Sequence, residues 1–466
     1  MTTVAVVGGG ITGLAAARAL RRAGLDVVVC EQSRRWGGKL APLVLDGVQL
    51  DGGAESMLAR RPEGTALAAD LGLGPLLVHP TPARPALLVD GTLHRMPPSL
   101  LGIPTEPEKL QGLLSEDGFR RAVAEPDRPA PPLGSDVAIG VVVDDRFGPE
   151  VTDRLVEPLL GGVYAGHARA LSFAAVSPQL FDRAQAGGSL LEHARAAVGG
   201  PDQGPVFAGL AGGVAGLAGA LSADLEGTGV RLRLGATVRR IDRVTGGFRL
   251  TTGPAPEPET IAADAVLLAV PAGPAGRLLA DLAGTATDVA GVPYASVAVV
   301  TLVVRGLGEH GSGILAPPGE RPTIKALTYS GAKWAWVAAA AAATWGGEAE
   351  VVRASLGRAG DAAALQLDDR ALLARTFAEA RTVPGWAGAE LVTGAVTRWG
   401  GALPQYRVGH RDLVARLRND LVAVPGLAVA GAALDGVGIA ACLGSAYAAV
   451  AKITADLGGG NGRIEP

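Results

Sequence analysis

The chain has 466 residues, of which 48% are hydrophobic, and its 68 glycines and 32 prolines exclude a collagen-like or disordered chain. Its length predicts two or three domains. The formal net charge of −3 offers no broad basic surface, so nucleic acid is excluded as a partner. The two cysteines, Cys30 and Cys442, are too few for a disulfide framework, and we expect a cytoplasmic protein without a signal peptide.

Short apolar runs and helical patterns alternate along the chain, which predicts an α/β fold. The predicted strands are residues 4–7, 27–29, 230–241, 263–270, 297–304 and 427–430. The predicted helices are residues 13–23, 138–147, 151–160, 212–225, 370–381 and 445–457. Proline-rich residues 75–132 interrupt the pattern, so we expect domains built from discontinuous segments. The alanine-rich residues 334–345 are too short to span a bilayer, and peripheral contact with a membrane stays open.

A glycine motif separates the first predicted strand from the first helix. Gly8, Gly10 and Gly13 permit a tight turn there, and the N–H groups of a helix N-terminus favour a pyrophosphate. Glu31 ends the next strand, where a carboxylate binds an adenosine ribose, although alone it would be an ordinary solvated residue. Together these features predict a dinucleotide site. Its residues are Gly8, Gly9, Gly10, Ile11, Thr12, Gly13, Glu31 and Gln32.

A second glycine pair follows the ribose-binding position. Gly37 and Gly38, with the basic Lys39 after them, resemble the segment that closes over the cofactor pyrophosphate in FAD-dependent amine-oxidase-like proteins. The resemblance implies FAD, bound without a covalent link, as the cofactor. Gly38 and Lys39 are therefore added to the predicted cofactor contacts.

Residues 51–61 resemble a motif of the porphyrinogen oxidases of the haem pathway, with Ala54 and Met57 in place of the usual proline and phenylalanine. The resemblance implies flavin contacts by Gly53, Ala54, Glu55 and Ser56. It extends over nearly the whole chain, in order, through residues 89–97, 159–166, 333–334, 352–353, 398–406 and 429–439. Ala335 stands where a proline commonly follows the tryptophan of residues 333–334.

The carboxy-terminal part of this resemblance supplies the remaining cofactor contacts. Gly436 and Gly438 allow backbone N–H groups to approach the flavin, and the dipole of the following helix favours its reduced, negative form. The implied contacts are Trp399, Val437, Gly438, Ile439 and the main chain of Val238. Cys442 is expected to be a small buried residue. The six histidines show no metal-ligand spacing, so no metal is expected.

The resemblance implies an interleaved fold and a discontinuous domain organisation. A Rossmann-like FAD-binding domain of the glutathione-reductase type is expected from residues 1–75, 206–290 and 396–466. Residues 76–205 would form a helical lobe and part of an α+β substrate domain. Residues 291–395 would form its substrate-binding sheet.

The implied reaction is the oxygen-dependent oxidation of a porphyrinogen by three flavin cycles, with release of hydrogen peroxide. Flavin N5 accepts hydride, so no catalytic side chain is predicted, and Arg60, Arg61 and Arg84 are expected to bind propionates. Coproporphyrinogen III is favoured over protoporphyrinogen IX. An amine oxidase or desaturase, and a non-catalytic flavin-binding protein, are alternatives; the 4% aromatic content argues against an amine-binding aromatic cage. Handover of the product to a ferrochelatase stays open.

Overall fold

The computed structural model describes residues 2–198, 204–319 and 323–458. The strands are β1 (Thr3–Val7), β2 (Asp26–Glu31), β3 (Pro42–Leu45), β4 (Val48–Asp51), β5 (Met57–Leu58), β6 (Leu77–Val78), β7 (Pro85–Val89), β8 (Thr92–Arg95), β9 (Ser99–Leu100), β10 (Ile103–Pro104), β11 (Phe207–Leu210), β12 (Arg231–Leu234), β13 (Arg240–Val244), β14 (Gly247–Thr252), β15 (Glu259–Ala263), β16 (Ala265–Leu268), β17 (Tyr294–Arg305), β18 (Gly313–Leu315), β19 (Ile324–Tyr329), β20 (Glu350–Leu356), β21 (Glu390–Pro404) and β22 (Leu427–Val429).

The helices follow the same chain order. They are α1 (Ile11–Arg22), α2 (Pro62–Asp70), α3 (Glu116–Val123), α4 (Ile139–Arg146), α5 (Pro149–Val151), α6 (Glu157–Tyr164), α7 (Phe173–Val176), α8 (Pro178–Ala184), α9 (Leu190–Val198), α10 (Gly216–Glu226), α11 (Ala272–Leu278), α12 (Ala286–Ala290), α13 (Ser330–Lys333), α14 (Ala335–Trp345), α15 (Asp369–Ala380), α16 (His410–Val422) and α17 (Ile439–Asp456). None of the helices in the described ranges is both long and apolar enough to cross a bilayer.

A parallel sheet with the strand order β12–β2–β1–β16–β22 organises the cofactor-binding part. Its central strands are runs of valine and alanine that are buried on both faces, as in other parallel sheets. Helices α1, α10 and α17 cover one face, and the β13–β14–β15 sheet with α11 and α16 packs on the other. This layered architecture confirms the predicted α/β, Rossmann-like fold class.

A second sheet has the order β21–β17–β20–β19–β18–β7–β8. Helix α15 packs on one face, where Leu372 and Trp386 are buried with the apolar residues of β17 and β20. Strand β21 pairs with β17 from Glu390 to Pro404. The predicted domain boundary at residue 396 falls inside this strand. Pairing on both sides of that position holds the whole strand in this sheet.

A helical lobe built from α3 to α9 packs beside this sheet. Its core contains Phe147 and Phe173, and Leu87 of β7 joins the same cluster. The predicted helix over residues 151–160 is present as α5, a wider π-helical turn over Thr152–Val156, and α6. Val437, just before the final helix, also packs against this lobe.

Two predicted elements differ from the structure for local reasons. The extended segment over residues 230–241 is two strands, because Gly235 takes a φ of +68° and turns the chain away from the sheet after β12. The last helix begins at Ile439, six residues before its predicted start. Gly438, in extended backbone, precedes it directly, so the predicted flavin loop leads straight into the helix N-terminus.

Candidate cofactor and active site

A cavity of about 370 Å³ lies between the carboxyl ends of β1, β2 and β16 and the last part of β21. Charged residues in its lining are confined to Glu31 and Lys39 within the described residues. The predicted cofactor residues that line the cavity are Gly8, Gly10, Ile11, Thr12, Glu31, Gln32, Gly38, Lys39, Ala54, Val238, Trp399, Val437 and Ile439. Segments far apart in the sequence therefore meet around one long, largely apolar cavity.

The first glycine turn leaves room for a ligand only at one of its positions. A methyl group on Gly13 would lie 1.9 Å from the Gly8 carbonyl oxygen, so Gly13 serves close packing of the turn. At Gly10 the nearest protein atom to such a methyl is the Gly38 Cα, at 3.9 Å. Helix α1 begins at the next residue, with its N-terminal N–H groups at this opening. This space and these donors fit a pyrophosphate.

The Glu31 carboxylate is held at the cavity wall by backbone donors. The Gly9 N–H donates to Glu31 Oε2 at 2.7 Å, and the Ser33 N–H donates to Oε1 at 2.8 Å. Gly37 donates its N–H to the Gly9 carbonyl at 2.8 Å, which joins the two glycine segments. The carboxylate still has lone pairs for a ribose, so this site fits the predicted role.

Lys39 supplies a positive charge to the cavity. The Lys39 side chain is exposed, and desolvation by the protein around it lowers the pKa of its ammonium below the ordinary value. The Lys39 Nζ lies 5.7 Å from the centre of the Tyr294 ring. A cation at the edge of the cavity is stabilised by a bound anion, and a cofactor pyrophosphate would supply one.

The loop before the final helix is held by Tyr406. Its hydroxyl donates to the Ala432 carbonyl at 2.5 Å and accepts the Gly436 N–H at 3.0 Å. His410 stacks on the tyrosine ring with a centroid distance of 4.1 Å. Tyr406 belongs to residues 398–406, which resemble the porphyrinogen oxidases, but the resemblance predicts no role for this side chain. A methyl group on Gly438 would meet no atom within 4 Å, so the helix N-terminus opens freely.

Trp399 joins the second sheet to the cofactor-binding part. Its indole N–H donates to the Gly52 carbonyl at 3.0 Å, and its side chain lines the cavity. A methyl group on Gly53 would lie 2.0 Å from the Lys39 carbonyl oxygen and 3.2 Å from the Trp399 ring. Gly53 is therefore needed for close packing behind the cavity wall.

Glu55 binds other side chains of the protein. Its carboxylate lies 2.6 Å from both the Lys333 ammonium and the Arg353 guanidinium, and it accepts the Ser330 hydroxyl at 3.1 Å. These cations outweigh the effect of burial and lower the pKa of Glu55 to about 2. Arg353 also donates to the Gly53 carbonyl. Through these ion pairs, Glu55 holds the loop after β4 against the second sheet.

The remaining predicted residues lie outside the cavity lining. Arg61 is exposed and forms an ion pair with Glu63, while Arg60 and Arg84 are exposed on loops before α2 and β7. The residues outside the lining are Gly9, Gly13, Gly53, Glu55, Ser56, Gly438, Arg60, Arg61 and Arg84. Gly9, Gly13, Gly53 and Glu55 make the supporting contacts given above. Cofactor contact by the first six residues and propionate binding by the arginines stay predictions.

The Rossmann-like fold, the glycine turn and the cavity lined by Glu31 and Lys39 fit a flavin-dependent oxidoreductase. The model of the family described as flavin containing amine oxidoreductase matches residues 11–454. This chain belongs to that family. It is an FAD-dependent oxidoreductase, which confirms the predicted class and cofactor.

Curated relatives cover almost the full length of the chain. A protein of Mycobacterium tuberculosis named coproporphyrinogen III oxidase is 38% identical over 457 residues, 96% of each chain. A Bacillus subtilis protein of the same name is 31% identical over 477 residues, 96% of this chain and 97% of its own. The predicted resemblance to the porphyrinogen oxidases is thereby confirmed.

Solved structures show the same relationship. A putative protoporphyrinogen oxidase from Exiguobacterium sp. superposes with a TM-score of 0.84 at 30% identity, covering 98% of this chain and 99% of its own. A putrescine oxidase variant, at 17% identity and a TM-score of 0.66, covers 97% of this chain and 99% of its own and shares the fold.

Proposed function

We propose that this protein oxidises coproporphyrinogen III to coproporphyrin III. The observation that carries the proposal is the end-to-end similarity to proteins named coproporphyrinogen III oxidase, at 38% identity over 96% of both chains. The FAD-dependent class is consistent with it, because loss of hydride from a porphyrinogen methylene bridge leaves a cation that the flanking pyrroles stabilise. FAD supplies the hydride acceptor when bound.

The protein's own contribution is orientation and exclusion of water. Glu31 and Lys39 lie at the dinucleotide-binding segments, and the remaining lining of the cavity is uncharged within the described residues. Trp399 and Leu403 form part of this lining near β21. An uncharged wall suits a reaction that needs no strong base.

The proposed overall reaction removes six hydrogens in three two-electron steps. Each step returns two electrons to oxygen and releases one hydrogen peroxide, so three oxygen molecules are consumed for each porphyrin formed. Arg60, Arg61 and Arg84 are proposed to meet the substrate propionates at the protein surface. We further propose a cytoplasmic location, peripheral contact with a membrane, and transfer of the product to a ferrochelatase.

Protoporphyrinogen IX is the second candidate substrate. A bovine protoporphyrinogen oxidase is 30% identical over 359 residues, covering 70% of this chain and 72% of its own. The two porphyrinogens differ in their number of propionates, four against two. The match to coproporphyrinogen III oxidases is longer and closer, which favours the substrate with four.

The test is an anaerobic half-reaction followed by turnover. The purified yellow protein is mixed without oxygen with coproporphyrinogen III, protoporphyrinogen IX or an amine, and flavin bleaching is followed. Oxygen is then admitted, and porphyrin fluorescence and hydrogen peroxide are measured against a protein-free blank. We expect the fastest bleaching with coproporphyrinogen III. Bleaching by an amine but by neither porphyrinogen would overturn the proposal.

A further inference from the structure

A buried lysine and a half-buried arginine lie where the second sheet meets the helical lobe, and neither forms an ion pair within the described residues. Lys325 in β19 is 3% exposed, and its ammonium forms no hydrogen bond or ion pair within the described residues. Arg358 follows β20. Its Nη2 donates to the Ala316 carbonyl at 2.9 Å, and its Nη1 is buried without a partner in the described part of the chain.

The two side chains are neighbours that repel each other. Ala316 contacts both residues. Its N–H donates to the main-chain carbonyl of Lys325 at 3.0 Å, and its own carbonyl accepts from the Arg358 guanidinium. Burial and the Arg358 charge lower the pKa of Lys325 to about 7. Burial also lowers the pKa of Arg358. Two adjacent cations, one of them buried, are unfavourable unless an anion joins them.

Two acids, Glu157 and Asp361, favour the charged form of Arg358, but neither forms an ion pair with it within the described residues. Glu157 at the start of α6 is electrostatically coupled to Arg358. Its Oε1, however, lies 2.7 Å from His167 Nδ1, and its Oε2 accepts the Ala168 N–H at 2.6 Å. Both carboxylate oxygens are therefore engaged elsewhere, and the Arg358 Nη1 is left with unused hydrogen-bonding capacity.

A glycine of the helical lobe makes room for this arrangement. A methyl group on Gly161 would lie 2.2 Å from the Arg358 Nη1. Gly161 belongs to the glycine-rich residues 159–166, which resemble the porphyrinogen oxidases. The resemblance predicts no role for this glycine. The absence of a side chain there lets the guanidinium enter between α6 and the sheet.

The cation pair is linked to the cofactor cavity through the next residue. The Ala359 N–H donates to the Ala165 carbonyl at 2.7 Å. Ala359 also packs in one apolar cluster with Trp399 and Leu403, which line the cavity. Arg358 is therefore one residue away from the apolar cluster that borders the cavity.

We propose that Lys325 and Arg358 form a subsite that binds a carboxylate of the substrate. The inference rests on the proposed function, because a porphyrinogen carries its propionates at the rim of the macrocycle, away from the methylene bridge that reacts. The free Nη1 of Arg358 and the Lys325 ammonium would each donate to the carboxylate oxygens. The bound carboxylate would supply the anion that the fold lacks at this position.

The experiment compares binding of a free acid with binding of its ester. Coproporphyrin III and its tetramethyl ester are titrated into the flavin-loaded wild type and the Lys325→Met, Lys325→Arg and Arg358→Lys variants, with Kd measured by fluorescence quenching. Lys109→Met removes an exposed lysine from the segment before α3 and is the matched control. The KM for coproporphyrinogen III is measured in parallel.

We expect Lys325→Met to raise the Kd of the acid about tenfold or more and to leave that of the ester unchanged. Lys325→Arg should retain most of the affinity, and Lys109→Met should match the wild type. The melting temperature of Lys325→Met should stay the same or rise, because a buried unpaired charge is removed. A loss of acid binding at unchanged stability separates a ligand subsite from a structural lysine.

An unchanged ratio of acid to ester affinity in both Lys325→Met and Arg358→Lys would overturn the inference. Should Lys325→Met fail to fold, the ratio in Arg358→Lys decides the question. Turnover of coproporphyrinogen III by the wild type tests the proposed function separately. Wild-type turnover together with an unchanged ratio rejects the subsite and retains the function, whereas absence of wild-type turnover rejects the function itself.

Discussion

The Glu55 carboxylate lies 2.6 Å from the Arg353 guanidinium, across 298 residues of sequence. This ion pair joins the loop after β4 to strand β20 of the second sheet, and Lys333 completes it from the end of α13. Since Ala54 of the same loop lines the cofactor cavity, the position of that wall depends on contacts made by the second sheet.

Glu55→Gln should destabilise the protein by about 3 kcal/mol, because it leaves two half-buried cations without their anion. The measurement is urea unfolding of the apoprotein at pH 7, together with the flavin content of the purified variant. Asp117→Asn is the matched control, since it breaks an exposed ion pair with Arg120 and should cost about 1 kcal/mol or less. Equal stability of the two variants would show that the half-buried cluster contributes little.

The same cluster predicts a dependence of stability on pH. The pKa of Glu55 falls from its ordinary 4.5 to about 2 in the folded protein, so its ionised form stabilises the fold. This contribution, about 3 kcal/mol, is complete above pH 4.5 and is lost as the pH falls through about 2. The difference in unfolding free energy between wild type and Glu55→Gln should therefore shrink from pH 6 to pH 3. A constant difference would contradict the assignment to Glu55.

Gly10→Ala should fold normally and bind less FAD. The backbone at Gly10 has a φ of −74°, which any residue adopts, and no protein atom comes closer than 3.9 Å to the added methyl group. The methyl group would instead occupy space reserved for the pyrophosphate. We expect the ratio of flavin to protein to fall several-fold in the purified variant, with the melting temperature of the apoprotein unchanged.

Gly219→Ala is the control for this prediction. Gly219 is exposed in α10, and a methyl group there meets no atom within 4 Å. The substitution should stabilise the helix by about 0.5–1 kcal/mol and leave flavin content unchanged. Full flavin content in Gly10→Ala would place the cofactor away from this turn.

Trp399→Phe should weaken flavin binding several-fold, because the Gly52 carbonyl loses its hydrogen-bond donor and the cavity wall loosens. The Kd is measured by adding FAD to the apoprotein and following the flavin fluorescence. Trp386→Phe is a matched control, since it removes a hydrogen bond to Tyr329 on the α15 side of the same sheet. A similar loss of affinity in both variants would indicate a general effect on the sheet.

Arg60→Ala and Arg84→Ala should raise the KM for the porphyrinogen while leaving flavin content intact. Both side chains are exposed and lie outside the cofactor cavity, so they are available to substrate propionates. Arg120→Ala, at an exposed position of the helical lobe, controls for the loss of one positive charge. Unchanged kinetics in both test variants would remove Arg60 and Arg84 from the substrate site.

Short-range chemistry explains what could be predicted about the site. The β-branched runs around residues 4–7 and 27–29, and the glycines at positions 8, 10 and 13, carry their meaning within about thirty residues of sequence. Positive φ, close backbone approach and helix starts are local properties, so the dinucleotide-binding turn could be predicted from the sequence. The resemblance then supplied Trp399 and the loop before Ile439.

The contacts between the cofactor-binding part and the second sheet could not be predicted from the sequence. Lys333 and Arg353 lay in segments that resembled the family, yet their pairing with Glu55 depends on how the second sheet packs on the loop. The burial of Lys325 and its proximity to Arg358 could not be predicted, because a lysine within an apolar strand reveals neither how deeply it is buried nor which residues lie beside it.

The sequence by itself determined the parallel sheet and the glycine turn, since each follows from residue type at fixed spacing, and its resemblance to a known family implied the class of cofactor. Only the tertiary structure decided which charges meet. Ion pairs and unpaired buried cations depend on the distance between side chains that are hundreds of residues apart, and the energy of a charge depends on how deeply the packed fold encloses it.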